Sequence, residues 1–266
     1  MTEVHETAIV DASAELASDV VVGPYSIVGP RVRLADGVKL HSHVVVEGKT
    51  SVGSRTEIFP FASIGQPPQD LKYEGEESEL IVGSDNMIRE HVTMNSGTEG
   101  GGLVTEVGNN CAFLTGAHVG HDTKVGNGVV LSNNVMLAGH CIIDDFVIVS
   151  GGAGVHQFTR IGKHSFIGGM SGVENDVIPY GMVLGNRARL AGLNVIGMKR
   201  RGFEREQIHA LRAAYRMLFA EEGTLRERVE DVAALFSEQQ DVMDIIGFIK
   251  AETSRSICMP RAAADD

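Results

Sequence analysis

The chain has 266 residues, a net charge of −12 and only 5% aromatic residues, with no Trp. This length is ample for a core in two domains, and the acidic balance argues against nucleic acid as a partner. No run of eighteen apolar residues occurs, and the N-terminus has neither a basic n-region nor an apolar h-region, so neither a membrane span nor a signal peptide is expected.

From Val10 to Ile64 every sixth residue is aliphatic, ten in succession: Val10, Leu16, Val22, Val28, Leu34, Leu40, Val46, Val52, Ile58 and Ile64. Four residues after each of the first nine stands a small or β-branched residue, from Ala14 and Val20 through Ser26, Thr50 and Thr56 to Ala62. Both positions must point inward, and a hexad with one large and one small inward residue predicts a parallel β-helix. The frame pauses for a polar excursion, 66–81, that carries Gln69, Asp70, Leu71, Lys72 and Tyr73, and resumes unshifted at Val82 and Ile88. A Gly-rich interruption, 95–106, shifts it by one residue, and hexads then run from Val107 to Val173. Three hexads to a coil would stack residues eighteen apart, with coils about 4.8 Å apart.

After Pro179 and Tyr180 the spacing becomes helical. Ile208, Leu211, Tyr215, Leu218 and Phe219 form one apolar face, Val229, Val232, Leu235 and Phe236 another, and Val242 to Ile249 a third. The expected organisation is β + α: a β-helix over 1–184, then an α-helical domain over 185–266 of three helices, with a tail that frays from Pro260. Two of the three cysteines, Cys111 and Cys141, fall at the small inward position and read as packing residues of a reduced compartment. Six basic residues between Gly185 and Arg205 (Arg187, Arg189, Lys199, Arg200, Arg201, Arg205) oppose Glu204 alone, a cluster suited to a pyrophosphate or an acidic protein.

His118, His121, His140 and His156 lie within 39 residues, none at an inward position. The eighteen-residue ruler stacks His121 with Gly139 and Gln157, and His140 with Asp122. Imidazoles beside a carboxylate are raw material for general-base catalysis near neutral pH, and the Gly139 N–H suits a developing oxyanion. A zinc hydratase on the same fold would take histidines from two subunits as ligands; no two of the four are eighteen or thirty-six residues apart, so none stack within one chain, which leaves only an inter-subunit site.

The run Gly116-Ala117-His118-Val119-Gly120-His121-Asp122, followed by Leu137-Ala138-Gly139-His140, Val155-His156-Gln157-Phe158 and Lys199-Arg200-Arg201-Gly202-Phe203, closely resembles the bacterial UDP-N-acetylglucosamine O-acyltransferases. Those enzymes make the first acylation in lipid A biosynthesis. The likeness extends over nearly the whole chain. It implies a left-handed coil, a cytoplasmic homotrimer with active sites in clefts between neighbouring β-helices, and transfer of an (R)-3-hydroxyacyl group from acyl carrier protein to the sugar 3-hydroxyl, with no metal, cofactor or acyl-enzyme. By this resemblance His121 is the general base, Asp122 orients it and Gly139 N–H receives the oxyanion. Gln69, Asp70, Lys72, His118, His140, His156 and Gln157 position sugar, phosphate or acyl chain, Asn194, Arg200 and Arg201 grip the nucleotide, and Gly169 matches the position that limits acyl length, where glycine leaves room for a longer chain. Ile196 and Arg187 depart from the family's usual glutamate and histidine, which bears on uridine contacts. Alternative readings are the same transfer to a 3-amino sugar and another hexapeptide-repeat acyltransferase.

Overall fold

A hexad has room for one very short strand and a turn, so inter-strand bonds must come from the coils above and below. The computed structural model, which describes residues 1–261, shows this arrangement. Most strands before the helices are two residues long and pair in parallel with a partner eighteen residues away, as in Glu3↔Val21, Ile9↔Ile27 and Glu15↔Arg33. Among the described residues they form three sheets of eleven, nine and eight strands, the three faces of a parallel β-helix. The large hexad positions from Val22 onward are buried. Val10 and Leu16, near the open end of the stack, are only half-buried. Most hydroxyls at the small position find carbonyls, as in Ser26 Oγ to His41 O (2.7 Å) and Ser165 Oγ to Ile178 O (2.9 Å), whereas the buried Thr159 Oγ1 has no partner among the described residues.

The two interruptions differ in their arithmetic. Across the first, partners stand thirty residues apart rather than eighteen (Glu57↔Met87, Ser63↔Thr93), so it adds twelve residues, two whole hexads, and every side chain keeps its face. Across the second, partners stand twenty-five apart (Met87↔Ala112, Thr93↔His118), so it adds one hexad plus one residue and the frame moves by one.

The eleven-stranded face extends beyond residue 184, because Arg189–Leu193 folds back antiparallel on Gly181–Leu184. Among the described residues four α-helices follow rather than three: α1 (Val195–Arg200), α2 (Arg205–Leu218), α3 (Leu225–Leu235) and α4 (Gln240–Lys250). The additional α1 is too short to show apolar periodicity. α2 buries Ile208, Leu211, Ala214 and Leu218, α3 buries Val229 and Val232, and α4 buries Val242, Ile245 and Ile246. Leu235, expected on an apolar face, is 66% exposed at the last position of α3.

The helices are tied to the β-helix by polar anchors. The hydroxyl of the fully buried Tyr180 donates to Asp241 Oδ1 (2.9 Å), Lys163 pairs with Asp244 (2.6 Å), and Arg160 pairs with Asp176 (2.7 Å) over the Phe248 ring. After α4 the chain returns as a strap. Asp176 N–H donates to Ser256 O (2.9 Å), Cys258 N–H to Asp176 O (2.7 Å) and Leu190 N–H to Met259 O (3.0 Å). The three cysteines are free and buried, and burial pushes the Cys141 thiol up to about 12, which keeps it unreactive. Residues 262–266, the end of the expected helical domain and of the expected fraying tail, lie outside the described residues.

Candidate active site

The corner where the nine-stranded face turns into the eight-stranded face carries the histidines. The coil register stacks Asp122, His140 and Phe158 in one column and His121, Gly139 and Gln157 in the next. Backbone bonds His140 N–H to His121 O (2.9 Å) and Phe158 N–H to Gly139 O (3.2 Å) hold the corner. The His140 and Phe158 rings stack at 4.4 Å, and His121 meets His140 edge-on at 4.9 Å. Asp122 and His140 have φ of +58° and +60°, a left-handed conformation that Gly128 and Gly152 adopt at other corners. A side chain there carries a backbone cost that its stacking and hydrogen bonds must offset.

Asp122 is the hub. Its side chain is 1% exposed. Oδ2 accepts from Thr98 Oγ1 (2.6 Å) and His121 Nδ1 (2.7 Å), Oδ1 accepts from Thr98 N–H (2.8 Å), and Asp122 N–H donates to Thr105 Oγ1 (2.7 Å). His140 Nδ1 stands 3.8 Å from Oδ2, beyond hydrogen-bond range, so the carboxylate orients His121 rather than His140. A carboxylate only accepts, so the His121 proton sits on Nδ1 and Nε2 is left bare. The Gly-rich interruption closes over this carboxylate. A Cβ on Gly101 would lie 2.0 Å from Asp122 Cγ, and one on Gly97 would lie 2.8 Å from Oδ1, so no side chain is admitted there. Sequence reasoning missed Thr98 and Thr105. The available signal was the glycine pattern around Thr98, which marks backbone passing close to another group.

Gly139 is glycine for the same reason. A Cβ there would fall 2.5 Å from both Cε1 and Nε2 of His121. Its N–H donates to no group among the described residues and is free for a ligand. His118 bonds through Nδ1 to Thr93 Oγ1 (2.7 Å), and burial, reinforced by nearby His121, lowers its pKa. Burial also lowers that of His140, against the opposing pull of Asp122. Both rings therefore stay neutral at pH 7.

His121, Asp122 and His140 bring three ligating atoms within 4.8 Å of one another. Two ligands on one tetrahedral zinc, each about 2.1 Å from the ion, would stand roughly 3.4 Å apart. The 2.7 Å between His121 Nδ1 and Asp122 Oδ2 is hydrogen-bond spacing, and Thr98 already occupies one acceptor site on each oxygen of the carboxylate. The residues do not fit a preformed zinc site.

Two hollows flank the corner. One, of about 480 Å³, places Asp70, Lys72 and Tyr73 of the first excursion opposite Thr98, His140 and Phe158. The other, of about 520 Å³, is an apolar groove over the nine-stranded face, between His118 and His156 and across Met136, Gly154 and Gly172. Gln69 and Gln157 are exposed and line neither. Gly169 sits on the outermost complete coil, at the corner three residues before Gly172, and a Cβ there meets only Gly151 O at 3.4 Å and Ser150 Cβ at 4.0 Å.

The basic cluster stands elsewhere. Arg201 lies over the Phe146 ring (5.2 Å), and Asn194 Nδ2 donates to His164 O (2.9 Å). Phe146 is one hexad beyond His140 and so occupies the next corner of the same coil, at most about 20 Å away along an extended chain. Asn194 Oδ1 also caps α1 through Gly197 N–H (3.0 Å), so both ends of its amide are engaged, while Arg200 is exposed. Within one chain the expected site residues thus form two groups on different edges.

Comparison with known proteins gives concordant matches. Residues 176–258 match the family described as UDP N-acetylglucosamine O-acyltransferase, domain 2. The acyl-[acyl-carrier-protein]–UDP-N-acetylglucosamine O-acyltransferase of Azorhizobium caulinodans is 51% identical over 96% of this chain and 94% of its own length. The solved UDP-N-acetylglucosamine O-acyltransferase of Moraxella catarrhalis is 40% identical with a TM-score of 0.92, covering 96% of this chain and 98% of its own. The solved UDP-N-acetylglucosamine acyltransferase of Francisella novicida is 35% identical with a TM-score of 0.93, covering 100% of this chain and 99% of its own.

Proposed function

The chain belongs to the UDP-N-acetylglucosamine O-acyltransferase family, and on that premise we propose that it moves an (R)-3-hydroxyacyl group from acyl carrier protein to the 3-hydroxyl of UDP-N-acetylglucosamine, with His121 as general base. This is the first acylation of lipid A biosynthesis. The observation that carries the assignment is the pairing of a bare His121 Nε2, fixed by Asp122 on Nδ1, with the unengaged N–H of Gly139 beside it. Nε2 takes the proton of the sugar hydroxyl as its oxygen attacks the thioester carbonyl. The carbonyl oxygen, now anionic, accepts from Gly139 N–H. Collapse expels the thiolate, which recovers the proton from the imidazolium, so the histidine ends as it began.

The hollow with Asp70, Lys72 and His140 suits the polar sugar, and the groove between His118 and His156 suits the acyl chain. Arg200 and Arg201 suit the diphosphate, although they stand on another edge of their own chain. A site holding both groups therefore takes its histidines from one copy and its arginines from the next, which a ring of three copies supplies. We assign the assembly as a homotrimer on this ground, working in the cytoplasm, where acyl carrier protein is the donor. No helix among the described residues is long and apolar enough to cross a membrane.

Co-expression of His121→Ala and Arg201→Ala chains tests the shared site. Each variant alone is expected to be impaired, Arg201→Ala through a rise of roughly tenfold or more in the KM of the UDP-sugar. Random mixing leaves about one site in four with both groups intact, so the mixture should recover up to that share of parental activity. Activity no higher than the mean of the two variants would place both groups in one chain. Chain length is tested by Gly169→Met, which adds bulk at the far coil and should shorten the preferred acyl donor in a competition among carrier-protein thioesters. An unchanged preference would take Gly169 out of the groove.

A further inference from the structure

The strap after α4 crosses the β-helix beside the acyl groove. Its hydrogen bonds with Asp176 run through Ser256 O and Cys258 N–H, and Thr253 Oγ1 donates to Asp176 Oδ2 (3.0 Å). These contacts bracket Arg255 and direct its guanidinium to His156, with Nη2 2.6 Å from Nδ1. Nη1 lies 3.5 Å from Glu174 O, and both Glu174 and His156 line the groove.

A guanidinium only donates, so a His156 ring bonded to it must accept at Nδ1 and carry its proton on Nε2. Nδ1 also stands 3.1 Å from Gln157 O, which only an Nδ1–H could reach. The two bonds exclude each other. The contact with Arg255 is shorter and charge-assisted, and it prevails. Nε2 bonds to no group among the described residues.

We propose that Arg255 is a positioning residue for the acyl transfer: it fixes His156 as the Nε2–H tautomer, so that the groove offers a hydrogen-bond donor rather than an acceptor to an oxygen of the acyl substrate. The effect on turnover rests on the function proposed above, whereas the tautomer does not. Without Arg255 the ring bonds to Gln157 O through Nδ1–H, and Nε2 becomes an acceptor facing an acceptor.

The test is a long-range ¹H–¹⁵N correlation spectrum of the full chain labelled with ¹⁵N-histidine, at a pH where the ring is neutral, with His156 assigned by its loss in His156→Ala. The parent and Arg255→Lys should show Nε2–H. Arg255→Met should show Nδ1–H, with a rise of roughly tenfold in the KM of the acyl donor and a smaller change in kcat. A parent ring found as Nδ1–H, or a tautomer unmoved in Arg255→Met, overturns the inference. A flipped tautomer with parental KM overturns its role in turnover. Should Arg255→Met not fold, the parent spectrum decides alone. Absence of acyl transfer by the parent would instead count against the functional reading and leave the tautomer measurement standing.

Discussion

His121→Ala is expected to lower kcat by at least about a hundredfold while the chain stays folded and still binds UDP-sugar. A neutral alcohol is a poor nucleophile until a base takes its proton in the transition state, and such a base contributes about 10² to 10⁴ in rate. The bare Nε2 is the only nitrogen of the histidine corner placed there by a buried carboxylate. Asp122→Asn keeps the imidazole but removes the charge that stabilises its protonated form, and should lose less. Thr98→Val removes one of the two Thr98 bonds to that carboxylate and should lose less again. Steady-state kinetics with a carrier-protein thioester, together with UDP-sugar titration, checks the series. A His121→Ala enzyme within about tenfold of the parent, short of a general-base contribution, would move the search for the base to His118 or His140.

Gly139→Ala is expected to cost about a hundredfold in turnover with little loss of thermal stability. The added methyl would fall 2.5 Å from two ring atoms of His121, so the imidazole must move, and a displacement of about 1 Å at a reacting group can cost about 10². The backbone at Gly139 does not adopt a positive φ, so alanine is conformationally admissible there. Comparing kcat with the unfolding midpoint separates the two effects. Parental kcat in a folded Gly139→Ala chain would show that crowding the His121 ring does not disturb the reaction.

The hexad rhythm made the β-helix legible because inward positions of a narrow coil allow almost no freedom in residue size. The same ruler made the histidine corner legible, since residues eighteen apart must stack, which puts Asp122 in the column of His140 and His121 in that of Gly139. It failed where the chain leaves the coil. The path of the Gly-rich interruption follows no period, so Thr98 on Asp122 was not readable, nor was the strap that brings Arg255 across from a position ninety-nine residues beyond His156. α1 was missed because six residues are too few for an apolar stripe. Asn194 carries a structural role that its motif did not signal: its amide caps α1 and holds His164 O.

Met136, Gly154 and Gly172 stand in register on three successive coils of the nine-stranded face. A groove laid along that axis is measured in sheet spacings, so its floor lengthens in steps of about 4.8 Å, roughly four methylene groups of an extended acyl chain. With the groove proposed as the acyl site, selectivity for donor length is expected to be discrete. A change of coil shifts the preferred chain by about four carbons, and only the bulk of a single side chain on one coil can interpolate between steps. The glycines at 154 and 172 leave two of those steps open at once.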